Sequence, residues 1–232
     1  MRRKDRTEVF SAARDYFEGM DEHAVVVRDV RFVGDDAVAL ALETPDGFDA
    51  LPGQFVRVLA RAGNGADDDV ARYYTLSSST VEDTFEITVG IDPEGVLSPW
   101  LADREPGDTV RIEGPFGDVS YDDEGDVLVL AGGPGVGPAL GIGKRALDRG
   151  HAVTIVYRDE SPIHEDRLGA LSDAGADVRV LGPDDDLESA LQDGVGAVET
   201  YVFGFQDFVD AARTALEAVD VDPTDVQVES FG

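Results

Sequence analysis

A change of texture near the midpoint constrains this chain more than any other feature. From residue 24 to about 118 the sequence runs in short β-rich segments, 24–33, 37–43, 54–60, 72–78, 84–91 and 109–113, parted by turn residues. Their spacing predicts a small antiparallel barrel or sandwich. After a polar connection at 121–126 the pattern becomes strand then helix: strands at 127–131, 153–157, 178–181, 200–203 and 226–231, and helices at 139–149, 166–174, 187–191 and 208–218. That alternation predicts a parallel sheet with flanking helices. The expected division is an extension at 1–22, a β unit at 23–120 and an α/β unit at 121–232. Phe10, Ala13, Phe17 and Met20 fall at helical spacing, so a short amphipathic helix is expected in the extension. The acidic stretch at 66–70, with Asp67, Asp68 and Asp69, reads as a solvated loop.

Charge and residue usage exclude several classes. The net charge is -30, yet 42% of the 232 residues are hydrophobic, so the acid coats a chain that still builds a core. Asp is about twice as frequent as Glu, and lysine occurs only as Lys4 and Lys144, the bias expected of a surface that holds water and cations in concentrated salt. Such a field repels nucleic acid and anionic membranes, and the basic residues Arg2, Arg3, Lys4 and Arg6 are confined to the start of the chain. No run approaches the roughly 20 apolar residues that span a bilayer, and no apolar segment follows the first charges, so the expected location is cytoplasmic. The chain has no cysteine, which removes disulfides, thiolate nucleophiles and Cys-ligated zinc or iron–sulfur clusters. A redox centre on this chain would therefore be organic and non-covalent. His23, His151 and His164 show no metal-ligand spacing, and no metal is expected.

Two segments carry chemistry. Val129 to Pro138 leaves a buried-looking strand through Gly132, Gly133, Gly135 and Gly137 and enters a helix, where bare backbone and free N–H groups suit a phosphate. Pro138 stands where the dinucleotide fingerprint G-x-G-x-x-G would place its last glycine, so turn glycines explain the run too. Arg72-Tyr73-Tyr74-Thr75 lies on an expected strand whose alternation puts Arg72 and Tyr74 on one side. A cation beside an aromatic plane suits a ligand with a flat ring and a phosphate, or forms a cross-strand packing pair.

In order along the chain, F-D-A-L-P-G-Q-F-V at 48–56, R-Y-Y-T at 72–75, G-V-L-S at 95–98, G-P-F-G at 114–117 and A-G-G-P-G-V-G-P at 131–138 resemble the motif set of the ferredoxin-NADP reductase family. The resemblance covers roughly 24–232. It implies a six-stranded antiparallel flavin-binding β-barrel followed by a parallel-sheet nucleotide-binding domain, with FAD as cofactor and NAD(P)H as co-substrate. Arg72 would then bind flavin phosphate, Tyr74 stack on the isoalloxazine and Thr75 hydrogen-bond near its N5, with Leu76 and Ser77 completing that stretch. Gly95, Val96, Leu97 and Ser98 would line the FAD pyrophosphate site. Gly132, Gly133 and Gly135 would cradle the nucleotide pyrophosphate, and Gly204 would lie beside the nicotinamide. Thr75 and Phe231, an aromatic near the flavin ring, would serve the reaction itself. Phe203 stands at the family's usual cysteine position, which predicts a bulky ring near the nicotinamide path, and Pro134 replaces the threonine of many relatives. Arg158 and Arg167 are candidates for a 2′-phosphate, with Asp159 and Glu160 opposing it. The activity implied is hydride transfer to flavin N5 followed by single-electron transfer to an external carrier such as a ferredoxin. A flavin-binding subunit active only within a larger complex is the alternative.

Overall fold

The computed structural model describes residues 22–61, 69–192 and 199–231. The expected helix at 7–20, the basic residues at the start of the chain and most of the 66–70 stretch lie outside them. Six strands form one antiparallel sheet: β1 (His23–Gly34), β2 (Ala37–Glu43), β3 (Phe55–Arg61), β4 (Asp69–Thr75), β5 (Thr84–Gly90) and β6 (Thr109–Phe116), in the order β4-β3-β6-β1-β2-β5. The sheet curls so that its two ends meet. Leu76 bridges Ile87, and the Ser77 amide donates to the Glu86 carbonyl at 2.7 Å, which closes the barrel. Its core is the inward row of each strand, including Val38, Leu40 and Leu42 of β2 and Phe85, Ile87 and Val89 of β5, all at 1% exposure or less. Truncating one such side chain to alanine costs about 2–5 kcal/mol.

Two elements differ from the sequence expectation. β4 begins at Asp69, because Asp69 and Val70 pair with Arg61 and Ala60 and extend the ladder with β3; strand pairing overrides the turn preference of aspartate. A short helix, α1 (Leu97–Ala102), stands where only a loop motif was read; Leu97 and Leu101, one turn apart, bury into the barrel core.

The second half carries β7 (Val127–Gly132), α2 (Val136–Arg149), β8 (Val153–Arg158), α3 (Glu165–Asp173), β9 (Asp177–Leu181), α4 (Leu187–Leu191), β10 (Glu199–Gly204), α5 (Gln206–Ala218) and β11 (Val226–Ser230). All strand pairings are parallel, in the order β11-β10-β7-β8-β9. β7 is buried along its whole length, as a strand covered on both faces must be. Helices α2 and α3 pack on one face and α4 and α5 on the other. Strand order reverses between β7 and β10, so the crevice beyond their carboxyl ends is the place where such sheets bind ligands. Between the halves, Asp123 accepts hydrogen bonds from Arg145 and Arg149 of α2. The Arg145 bond foremost holds its carboxyl down to about 2.

Candidate functional site

A cleft of about 280 Å³ opens between the two halves. Its barrel wall is Arg72, Tyr73, Tyr74 and Thr75 of β4 with Thr88 and Gly90 of β5. Asp92 and the turn Gly95–Ser98 leading into α1 form one end, and Pro134, Phe205 and Phe231 close the side of the parallel sheet. The turn is internally tied: the Gly95 amide donates to the Asp92 carbonyl at 2.9 Å, and the Asp92 amide to Ser98 Oγ at 3.1 Å.

The site's electrostatics centre on Arg72. Most described cations of this acidic chain are ion-paired, but Arg72 pairs with no described carboxylate and makes one hydrogen bond, to the Ala71 carbonyl at 2.8 Å. Tyr74 packs against the barrel core, and burial outweighs the Arg72 charge in pushing its phenol up to about 12, so it stays protonated. Two residues before Phe231, burial first and then the Asp118 charge hold the Glu229 carboxyl above its ordinary range.

Of the residues singled out in the sequence, Arg72, Tyr74, Thr75, Gly95, Val96, Leu97, Ser98 and Phe231 all meet in this cleft. Leu76 and Ser77 do not line it. Leu76 is in the barrel core, and Ser77, at 0% exposure, places its Oγ 2.7 Å from Thr88 Oγ1 at the contact between the halves. Strand alternation ends with β4 at Thr75, so the pattern no longer indicates which way these two side chains point.

Gly132 and Gly204 end the neighbouring strands β7 and β10, and both lie against the ring of Phe208, whose atoms would stand 2.4 Å and 2.7 Å from added Cβ atoms. Gly133 has φ +57 with only an Asp159 oxygen nearby, 3.9 Å from the Cβ position. At Gly135 a Cβ would stand 2.2 Å from the Phe203 carbonyl oxygen, so the turn seats on β10 through bare backbone. No side chain caps α2 or α5; a 3-10 turn over Gly133–Gly135 runs into α2 and its Gly133 carbonyl takes the Val136 amide, whereas α5 begins beside Phe205 of the cleft with its first amides open to an anion.

Two expectations are corrected. Phe203 does not face the nicotinamide path: it is fully buried, its ring parallel to that of Tyr201 at 6.3 Å. The ring that does enter the cleft is Phe205, 55% exposed and edge-on to Phe231 at 5.9 Å. Arg167 is not available to a 2′-phosphate, because it is engaged with Glu86 and the Ser77 carbonyl. Arg158, by contrast, stands over the Phe208 ring at 5.2 Å. Thr88 and Gly90 were missed, although the alternation of β5, with Phe85, Ile87 and Val89 inward, places them on the opposite face.

A barrel joined to a parallel sheet, with a cleft between them and a cation and an aromatic on its barrel wall, is the ferredoxin-reductase-like class of fold. Residues 22–121, the barrel half, match the oxidoreductase FAD-binding domain family. The chain is similar to the ferredoxin reductase component of 3-ketosteroid-9-alpha-monooxygenase from Mycolicibacterium smegmatis, 31% identical over 223 residues, covering 84% of this chain and 62% of that one. It is also similar to the reductase subunit of an aromatic O-demethylase from an Amycolatopsis species, 35% identical over 153 residues, 62% of this chain and 42% of that one. The chain thus spans less than two thirds of the length of these relatives. Among solved structures, the FAD/NAD-binding domain of nitric oxide dioxygenase from Vibrio cholerae superposes with TM-score 0.75 at 22% identity, covering 90% of this chain and 98% of that one. The ferredoxin reductase in carbazole 1,9a-dioxygenase gives TM-score 0.77 at 22% identity, covering 92% and 70%. These likenesses establish the fold.

Proposed function

We propose that this chain is an NAD(P)H-dependent flavoprotein reductase that passes electrons to a one-electron carrier protein such as a ferredoxin. The observation that carries the reading is the single cleft that unites Arg72, Tyr74 and Thr75 with Phe205 and Phe231 from the other half. The donor set fits FAD: a guanidinium without a carboxylate partner among the described residues, a protonated phenol with a flat face, two hydroxyls in Thr75 and Ser98, and the uncapped start of α5 for a second nucleotide. FAD, when bound, takes a hydride from reduced nicotinamide and gives up electrons singly. Arg72 would hold a phosphate, Tyr74 would offer its ring to the flavin, and the Thr75 hydroxyl would donate to it. Phe205 and Phe231 exclude water from the side where nicotinamide enters. Gly132, Gly133, Gly135 and Gly204 frame the crevice that takes the nucleotide pyrophosphate.

These 232 residues have no cysteine to hold a cluster, and the acceptor in this reading is a carrier such as a ferredoxin. The names of the relatives, component and subunit, also favour work as one part of an oxygenase system. The proposal includes a cytoplasmic location, where nicotinamide nucleotides are kept reduced, the division at about 120, and an acidic surface adapted to concentrated salt. The test is the visible spectrum of protein purified in molar KCl with FAD, before and after anaerobic NADH or NADPH. Flavin bands that bleach with either nucleotide support the reductase. Bands that persist favour the complex-dependent subunit, and absence of bound flavin overturns the reading.

A further inference from the structure

Ser77 and Ser78 follow directly on the cleft residues of β4, and the parallel-sheet half grips them in three ways. From α3, Arg167 Nη2 donates to the Ser77 carbonyl at 2.6 Å while Nη1 donates to Glu86 Oε1 at 2.5 Å. Ser77 Oγ lies 2.7 Å from Thr88 Oγ1, which lies 2.8 Å from His164 Nε2, and all three residues are buried. Helix α2 makes the third contact with bare backbone. A Cβ at Gly137 would stand 2.6 Å from Ser77 Oγ, and one at Gly141, a turn later, 2.8 Å from the Ser78 carbonyl oxygen.

Apolar side chains would suffice to hold two domains together. A largely buried guanidinium shared between a main-chain carbonyl and a carboxylate is costly to desolvate, and what it adds is direction. The barrel fixes the amides of Leu76 and Ser77 through Gln54 and Glu86. Arg167 fixes the carbonyl on the other side, so the peptide that continues from Thr75 is held by both halves at once. We propose that Arg167 is a positioning residue for the flavin-contacting strand: by holding the Ser77 carbonyl it sets the placement of Thr75 and Tyr74. The position of the nucleotide-binding half is thereby transmitted to the flavin contacts. This rests on the flavin reading of the cleft.

The experiment compares wild type, Arg167→Met and Arg167→Lys for FAD affinity by fluorescence titration, the position of the bound flavin's visible bands, and the unfolding midpoint without FAD. Lysine keeps a charge opposite Glu86 but cannot fork to the carbonyl in the plane a guanidinium allows. The expected result is a loss of about tenfold in FAD affinity in both variants with displaced flavin bands, as removal of one charge-assisted bond predicts. Arg167→Lys should keep a midpoint near that of wild type, which also covers the case in which Arg167→Met does not fold. A lower midpoint with wild-type FAD affinity and unshifted bands would mean that Arg167 serves only the interface, and would overturn the proposal while leaving the flavin reading intact. A wild-type protein that binds no FAD overturns both.

Discussion

His164 precedes α3 with a left-handed backbone, φ 59, and is 3% exposed. Burial first, then the charges of Arg167 and Arg31, hold its imidazole down to about 3. An unfolded chain takes up that proton near pH 6.5, whereas the folded one does so only near 3, so between those values the unfolded state binds more protons. Stability therefore falls as pH drops through this window, by at most about 1.4 kcal/mol per pH unit. Replacing His164 by glutamine should flatten the decline of the unfolding midpoint between pH 6 and 4, relative to wild type. Comparing the two proteins isolates the histidine, since the other acidic groups titrate in both; parallel curves would refute the assignment. At this scale the sequence was legible where side chains alternate and illegible where a strand ends. Arg72 and Tyr74 were readable from the alternation of β4 and Thr75 from the R-Y-Y-T resemblance, while the inward turn of Phe203 and the outward turn of Phe205 depend on how the end of β10 meets α5. Position in a motif carried no information about that.

Helix α2 shows what periodicity alone misses among the elements. Gly137 and Gly141 each cost a helix about 1 kcal/mol relative to alanine, and the sequence offers Gly137 only as the end of the glycine-rich turn and Gly141 only as a residue inside the expected helix. The structure assigns their use to close approach, since both face Ser77 and Ser78 across the contact between the halves. Gly141→Ala should therefore lower the unfolding midpoint despite its better helix propensity, because main-chain atoms of Ser78 lie in the way and cannot rotate aside. A midpoint equal to or above wild type in thermal melts would show that the contact yields. The short α1 escaped notice for the opposite reason: six residues give too little pattern, and its stability comes from Leu97 and Leu101 reaching the barrel core. The long alternations, by contrast, survive almost unchanged, because a barrel row or a buried parallel strand needs a residue type at every second or every successive position.

The whole molecule carries 49 acidic against 19 basic residues, and ion pairs such as Arg28–Glu43, Arg57–Glu113 and Lys144–Asp148 occupy much of the basic complement. The remaining carboxylates repel one another over a distance that salt controls, about 10 Å at 0.1 M and about 3 Å at 1 M. The unfolding midpoint should thus rise between 0.1 and 2 M KCl, where a protein near neutrality changes little. A flat response would remove electrostatic self-repulsion as a factor. Screening of the same range also lets an acidic carrier approach, so docking in strong salt would depend on shape more than on long-range attraction.

The barrel is a rolled sheet whose first and last strands in spatial order, β4 and β5, touch through little more than the Leu76–Ile87 bridge and the Ser77 amide. That thin join lies immediately beside the residues that would receive the flavin, and much of what holds it comes from the other half of the molecule, through Arg167 and α2. In amide hydrogen exchange without FAD, Leu76 and Ser77 should open earlier in Arg167→Met than in wild type, relative to the β1–β2 ladder, and should slow when FAD is added. A ligand placed there works as a clasp: it draws the two margins of the sheet together and confines local breathing at the cleft to the unbound state.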